Sequence, residues 1–98
     1  MKNHQSCMDA CLACVADCEN CNCPECCDTD SCNCCKDCAD IAALCAKLCS
    51  RNSIYAETVM ALCVQACERC IENCSKHDKD CCRKCVESCK KCAEACKI

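Results

Sequence analysis

The stretch Cys82-Arg83-Lys84-Cys85-Val86-Glu87-Ser88-Cys89-Lys90-Lys91-Cys92-Ala93-Glu94-Ala95-Cys96 sets cysteines apart by alternating steps of three and four. Residues three and four apart share one face of an α-helix, so the pattern reads as a helical stripe made of sulfur. The rhythm recurs upstream: Cys7, Cys11, Cys14, Cys18, Cys21; then Cys35, Cys38, Ala42, Cys45, Cys49; then Met60, Cys63, Cys67, Cys70, Cys74. Alternation with period two never lasts a useful length, so strands are not expected. Four helices follow, near residues 5–22, 31–50, 54–76 and 79–97. Pro24 disfavours helical geometry at Cys23 and ends the first helix nearby. Asp30 or Ser31 can cap the second, Ser53 the third and Asp78 the fourth. Short connections make successive helices antiparallel. The predicted fold is all-α, an antiparallel up-down-up-down four-helix bundle with a cysteine-lined core, spanning residues 1–98 as one domain.

Composition supports this and removes competing readings. The chain has 98 residues, 24 of them Cys, with no Gly, Trp or Phe, one Pro and one Tyr. Apart from Cys and 12 Ala, only 16 larger apolar residues remain, too few for an ordinary oily core, so something else must help hold the fold. A net charge of −3 and scattered Lys and Arg without aromatic partners give no nucleic-acid footprint. The cluster Lys84, Lys90, Lys91 and Lys97 reads as a solvated helix face. No stretch has the roughly 20 apolar residues that span a bilayer. A secreted disulfide scaffold would be loop-rich and would need Gly; the start also shows no apolar signal core. Thiols awaiting metal in a reducing cytoplasm are the better reading.

In a bundle the three-four stripe faces the axis. Eighteen Cys then line the centre, and from Cys7 to Cys21 this column runs about 21 Å at the helical rise per residue. Leu12, Val15, Ile41, Leu44, Leu48, Val59, Leu62 and Ile71 lie beside the stripes, placed to seal helix flanks or an oligomer contact. The other six, Cys23, Cys26, Cys27, Cys32, Cys34 and Cys81, gather with His77 at the end shared by the first and third connections. Ile54, Tyr55 and Met60 mark the opposite end. The asymmetry suggests a thiol-rich mouth and an apolar floor. Met60 is in phase with its stripe and His4 lies one step before Cys7, so both are weaker candidate ligands.

Sulfurs at this spacing suit metal bridging, and four helices in phase make the signal specific. Thiolates are the ligating form, so loading strips protons from a closed interior where net charge is expensive. A monovalent ion in place of each proton leaves the interior neutral, whereas each Zn site with four thiolates keeps a net double negative charge. Soft thiolates favour Cu(I), at roughly one ion per one to two sulfurs. Two alternatives stay open. A Zn or Cd buffer of metallothionein type would saturate at far fewer ions. A thiol redox protein would need an isolated CxxC beside a βαβ pattern, which is absent. No close carboxylate pair, Ser/His/Asp pattern or Gly-rich loop is present, so an enzyme is not expected.

The in-phase runs resemble the bacterial copper storage proteins. Asp37-Cys38-Ala39-Asp40-Ile41 is similar to that family, as is Cys74-Ser75-Lys76-His77-Asp78 followed by Cys85, Cys89, Cys92 and Cys96. The resemblance covers essentially the whole chain. It implies a four-helix bundle storing many Cu(I) ions, a homotetramer, and a cytosolic location for the branch without an export signal. It carries the 18 stripe cysteines over as Cu(I) ligands: Cys7, Cys11, Cys14, Cys18, Cys21, Cys35, Cys38, Cys45, Cys49, Cys63, Cys67, Cys70, Cys74, Cys82, Cys85, Cys89, Cys92 and Cys96. His77 carries over as a ligand or uptake residue at the mouth. A copper chaperone is a candidate delivery partner. Cys23-Pro24-Glu25-Cys26-Cys27 and Cys32-Asn33-Cys34-Cys35 depart from the family and look more like metallothionein. Ala42 interrupts the second stripe, so coordination should thin there.

Overall fold

The computed structural model describes residues 4–21, 32–76 and 80–97, and for 32–34 the backbone alone. Its elements are α1 (Gln5–Glu19), α2 (Cys32–Ser50), α3 (Ala56–Cys74) and α4 (Asp80–Cys96). No strand occurs among the described residues. The helices pack as a square, α1 on α2, α2 on α3, α3 on α4 and α4 back on α1. Sulfur pairs give the directions. Cys7 meets Cys96 and Cys18 meets Cys85, so α1 and α4 run antiparallel. Cys35 meets Cys74 and Cys38 meets Cys67, which makes α2 and α3 antiparallel as well. This is the expected up-down-up-down bundle.

Small side chains allow the close approach that such pairing needs. The core consists of Cys together with Ala39, Ala42, Ala46, Ala56 and Ala93, with Leu48 and Met60 the larger aliphatic members. Val15, Ile41, Val59 and Ile71 are half-buried against this core and seal the flanks. Leu12, Leu44 and Leu62 do not: they are 56, 46 and 45% exposed. Ile54 and Tyr55, expected at an apolar floor, face solvent. Only Met60 of that set is buried, because its stripe position turns it inward. Ser88, beside Cys89 on α4, is the one buried polar residue described. Its hydroxyl donates to the Asp17 carboxylate on α1 and ties the two helices together.

Helix ends differ from the expected bounds in physically legible ways. α1 stops at Glu19 rather than near residue 22. Its last turn tightens, with the Cys21 N–H donating to the Cys18 carbonyl at 3.3 Å, and this keeps Cys21 buried although it lies beyond the helix. Ser53 accepts from the Tyr55 N–H at 3.1 Å, while its carbonyl accepts from Ala56. The pair forms a turn ahead of α3, which therefore begins at Ala56 instead of residue 54. Asp30, Ser31 and Asp78 lie outside the described residues.

The α2–α3 connection solves a problem set by the absence of glycine. Asn52 has φ 48°, a left-handed conformation. Its N–H donates to the Cys49 carbonyl at 3.2 Å, and the Ser53 N–H donates to the Leu48 carbonyl at 3.0 Å. That paired arrangement is a Schellman motif, with asparagine in the place glycine usually takes. Asn52→Gly should stabilise the reduced apo-protein by up to about 1 kcal/mol, and Asn52→Val should destabilise it by about 1–2 kcal/mol. Denaturant unfolding under anaerobic conditions checks both signs.

Candidate metal centre

All 18 stripe cysteines are buried, none more than 4% exposed, and every one is a free thiol. Their sulfurs touch in rungs. Between α1 and α4 the rungs are Cys11–Cys92 at 3.6 Å, Cys14–Cys89 at 3.7 Å and Cys18–Cys85 at 3.5 Å. Between α2 and α3 they are Cys35–Cys74 at 3.5 Å and Cys38–Cys67 at 3.6 Å. Cys14–Cys38 at 3.6 Å and Cys63–Cys92 at 3.6 Å close the other two sides of the square. Contacts along one helix join levels, as in Cys14–Cys18 at 3.7 Å and Cys70–Cys74 at 3.8 Å.

These contacts assemble into four-sulfur groups whose members all lie within 4.8 Å of one another. One group is Cys7, Cys11, Cys45 and Cys96; another is Cys11, Cys63, Cys92 and Cys96. Further along the axis come Cys14, Cys18, Cys38 and Cys89, then Cys18, Cys70, Cys85 and Cys89, then Cys21, Cys35, Cys74 and Cys85. With a metal–sulfur bond of about 2.3 Å, sulfurs in a tetrahedron sit about 3.8 Å apart, and those flanking a linear ion about 4.6 Å apart. The groups therefore accommodate two-, three- or four-fold coordination without rearranging the helices. Cys11, Cys96, Cys18, Cys85 and Cys89 each belong to two groups. A shared thiolate bridges, so the geometry suits polynuclear clusters better than isolated single-ion sites.

Acidity follows from the same crowding. Burial pushes the Cys21 thiol up to about 11, with Cys85 adding charge repulsion. Burial likewise pushes Cys49 up to about 12, where Cys45 and Cys7 oppose its ionisation. Deeper in, contacting sulfurs share protons unequally. The S–H groups of Cys11 and Cys45 aimed at Cys63 favour its thiolate, while Cys11 is held well above the ordinary range by Cys45, Cys63 and Cys92. One sulfur of a touching set can ionise only while its neighbours keep their protons.

The remaining expected site residues divide by position. Cys81 is half-buried against the core, near enough to Cys21 to oppose its ionisation. Cys32 and Cys34 stand in the first turn of α2, their side chains beyond the description. Cys23, Cys26, Cys27 and His77 lie outside the described residues. His4 is half-buried at the N-terminus of α1, where its carbonyl accepts from the Met8 N–H. Ser88 and Asp17 were not legible as a pair from sequence; a Ser next to a stripe position carries too weak a signal.

Fold and sulfur array together define a class: cysteine-lined four-helix bundles able to take up many soft metal ions. The family model for copper storage protein matches residues 1–98, and the chain belongs to that family. Among solved structures, it is similar to the Cu(I)-bound copper storage protein Csp3 of Bacillus subtilis, at 32% identity and a TM-score of 0.87 over 97% of this chain and 95% of that one. It is also similar to the apo form of Bacillus subtilis copper storage protein 3, at 36% identity and a TM-score of 0.84 over 94% of this chain and 93% of that one. Comparison with curated protein sequences gives no match.

Because Cys21 and Cys49 hold their protons at neutral pH, metal must displace them. Adding Cu(I) to the reduced protein in weakly buffered solution at pH 7 should release about one proton per thiol engaged. A pH-indicator titration reads this, and apparent affinity measured by chelator competition should rise with pH.

Proposed function

We propose that this protein stores Cu(I), holding many ions per chain on the thiolates of its bundle axis without turning over a substrate. The observation that carries the reading is the run of four-sulfur groups with shared members, buried from one end of the helices to the other. Membership of the copper storage protein family and similarity to a Cu(I)-bound relative support it. Charge selects the ion: a Cu(I) that replaces one proton leaves the dry axis neutral, while a Zn held by four thiolates of its own leaves a net double negative charge. The proposed ligands are the 18 stripe cysteines, with Cys23, Cys26, Cys27, Cys32, Cys34, Cys81 and His77 collecting ions at the mouth.

The wider picture belongs to the same proposal. Residues 1–98 act as one domain. Free thiols throughout the described residues suit a reducing cytoplasm, and no described helix is long and apolar enough to cross a membrane. Exposed Leu12, Leu44 and Leu62 give apolar surface for the homotetramer that the family resemblance implies. A copper chaperone would deliver ions to the mouth. A Zn or Cd buffer is the second reading, favoured by sulfur spacings that fit tetrahedral coordination.

Anaerobic Cu(I) titration of the reduced chain, read by native mass spectrometry, separates the two readings. Saturation above about ten ions per chain is expected for Cu(I), with Zn stopping at about six or fewer because each Zn claims about four thiolates. Saturation at a few Cu(I) ions would overturn the storage reading.

A further inference from the structure

Met60 is the one stripe member that carries sulfur without a thiol, and it is buried. Contacts between thiols fix its level on the axis. Cys38 touches Cys67 at 3.6 Å, and one seven-residue repeat further along this antiparallel pair stand Cys45 and Met60. Cys63 touches Cys92 at 3.6 Å, and one step beyond them stand Met60 and Cys96. Cys7 touches both Cys45, at 3.9 Å, and Cys96, at 2.8 Å. The four helices thus bring Cys7, Cys45, Met60 and Cys96 to one level, three thiols and a thioether.

A buried Met is often only a filler, because its unbranched chain adapts to irregular gaps. Here its neighbours give it a second use. Cys7, Cys45 and Cys96 already stand with Cys11 in a group whose sulfurs all lie within 4.8 Å of one another. A thioether, like a thiolate, is a soft donor for Cu(I), but it carries neither charge nor proton. An ion that displaces one proton at this level and also bonds to Met60 gains a bond while the axis stays neutral. The same lack of charge makes the thioether the weaker partner, since it does not attract the cation as a thiolate does. Two observations place this level close to solvent. Ile54 and Tyr55, in the adjoining α2–α3 connection, turn outward instead of folding over it, at 88 and 63% exposed. A surface cavity of about 450 Å³, lined by Ala61, Val64, Gln65, Cys96 and Lys97, reaches the same level at Cys96.

We propose that Cys7, Cys45, Met60 and Cys96 form a mixed thiolate–thioether Cu(I) site at the α2–α3 end of the bundle, and that the ion bound to Met60 is the first to leave when copper is withdrawn. This rests on the storage reading above and adds to it a ligand and a direction. Thiolate groups along the column hold their ions through charge as well as bonding. The neutral donor at one end offers a place from which an ion is drawn without first opening the bridged groups further in. Copper collected at the thiol-rich mouth would then be withdrawn at the opposite end.

The test uses the full reduced chain, produced with selenomethionine, loaded with Cu(I) under anaerobic conditions and read by selenium-edge X-ray absorption. Wild type should show copper at bonding distance from selenium. Met60→Leu, a change that nearly conserves volume, should lose that signal, and Met8→Leu should keep it. A limiting amount of a strong Cu(I) chelator is then added to the loaded wild type. The selenium–copper signal should fall by a larger fraction than the total copper. Should Met60→Leu lose helicity, Met8→Leu decides between the two methionines: a signal kept supports the assignment to Met60, and a signal lost overturns it. Wild type that loads many ions with no copper at selenium would overturn the site and leave storage standing. So would a signal that survives Met60→Leu in a folded protein. A selenium–copper signal that falls only in proportion to total copper would overturn the order of release. Saturation of wild type at a few ions would overturn storage itself, and shows in the total before any selenium signal is compared.

Discussion

A dry axis lined with thiols tolerates only sulfurs that carry a proton or a cation. That neutrality requirement governs the molecule. Without metal, burial keeps Cys21 and Cys49 protonated well beyond the ordinary thiol range, and touching sulfurs deeper in divide the protons among themselves. A monovalent ion in a proton's place would be held by sulfurs drawn from more than one element, since each of the four-sulfur groups named above is so composed. The same substitution that loads the protein therefore also cross-links it, and binding free energy becomes folding free energy.

The apo-bundle must nonetheless fold on modest means. Its core holds mainly Cys and Ala, and Cys behaves there as a small hydrophobe with a weak S–H donor. Half-buried Val and Ile residues on the flanks, the Ser88–Asp17 bond and the glycine-free turn at Asn52 supply definition that the axis lacks. Larger aliphatic residues on the axis would pack more firmly, but they would remove ligands. The Leu side chains left at the surface instead of the centre reflect that conflict.

Much of this was legible in the sequence because helical phase is a strong signal and sulfur repeats it in every element. The four helices and the burial of all 18 stripe cysteines follow from spacing, and the antiparallel order from the short connections between them. Other features had no such signature. That α1 ends at Glu19 while Cys21 still turns inward depends on a tightened last turn, which spacing does not encode. Ile54 and Tyr55 read as an apolar floor, yet the turn after Asn52 carries them outward. The Ser88–Asp17 link joins residues 71 apart in sequence and depends on the pairing of two helices.

The evenness of the sulfur ladder has a topological cost. A helix slid along its neighbour by one seven-residue repeat would again set thiol against thiol, so the contacts that fill the core are poor at telling the native alignment from a shifted one. Alignment must then be set by whatever breaks the repeat. Asn52 fixes where α2 stops and α3 starts; Met60 and Leu48 are too large to trade places with a cysteine; Ser88 recognises Asp17. A handful of exceptions thus act as address labels for a core whose other members are nearly interchangeable.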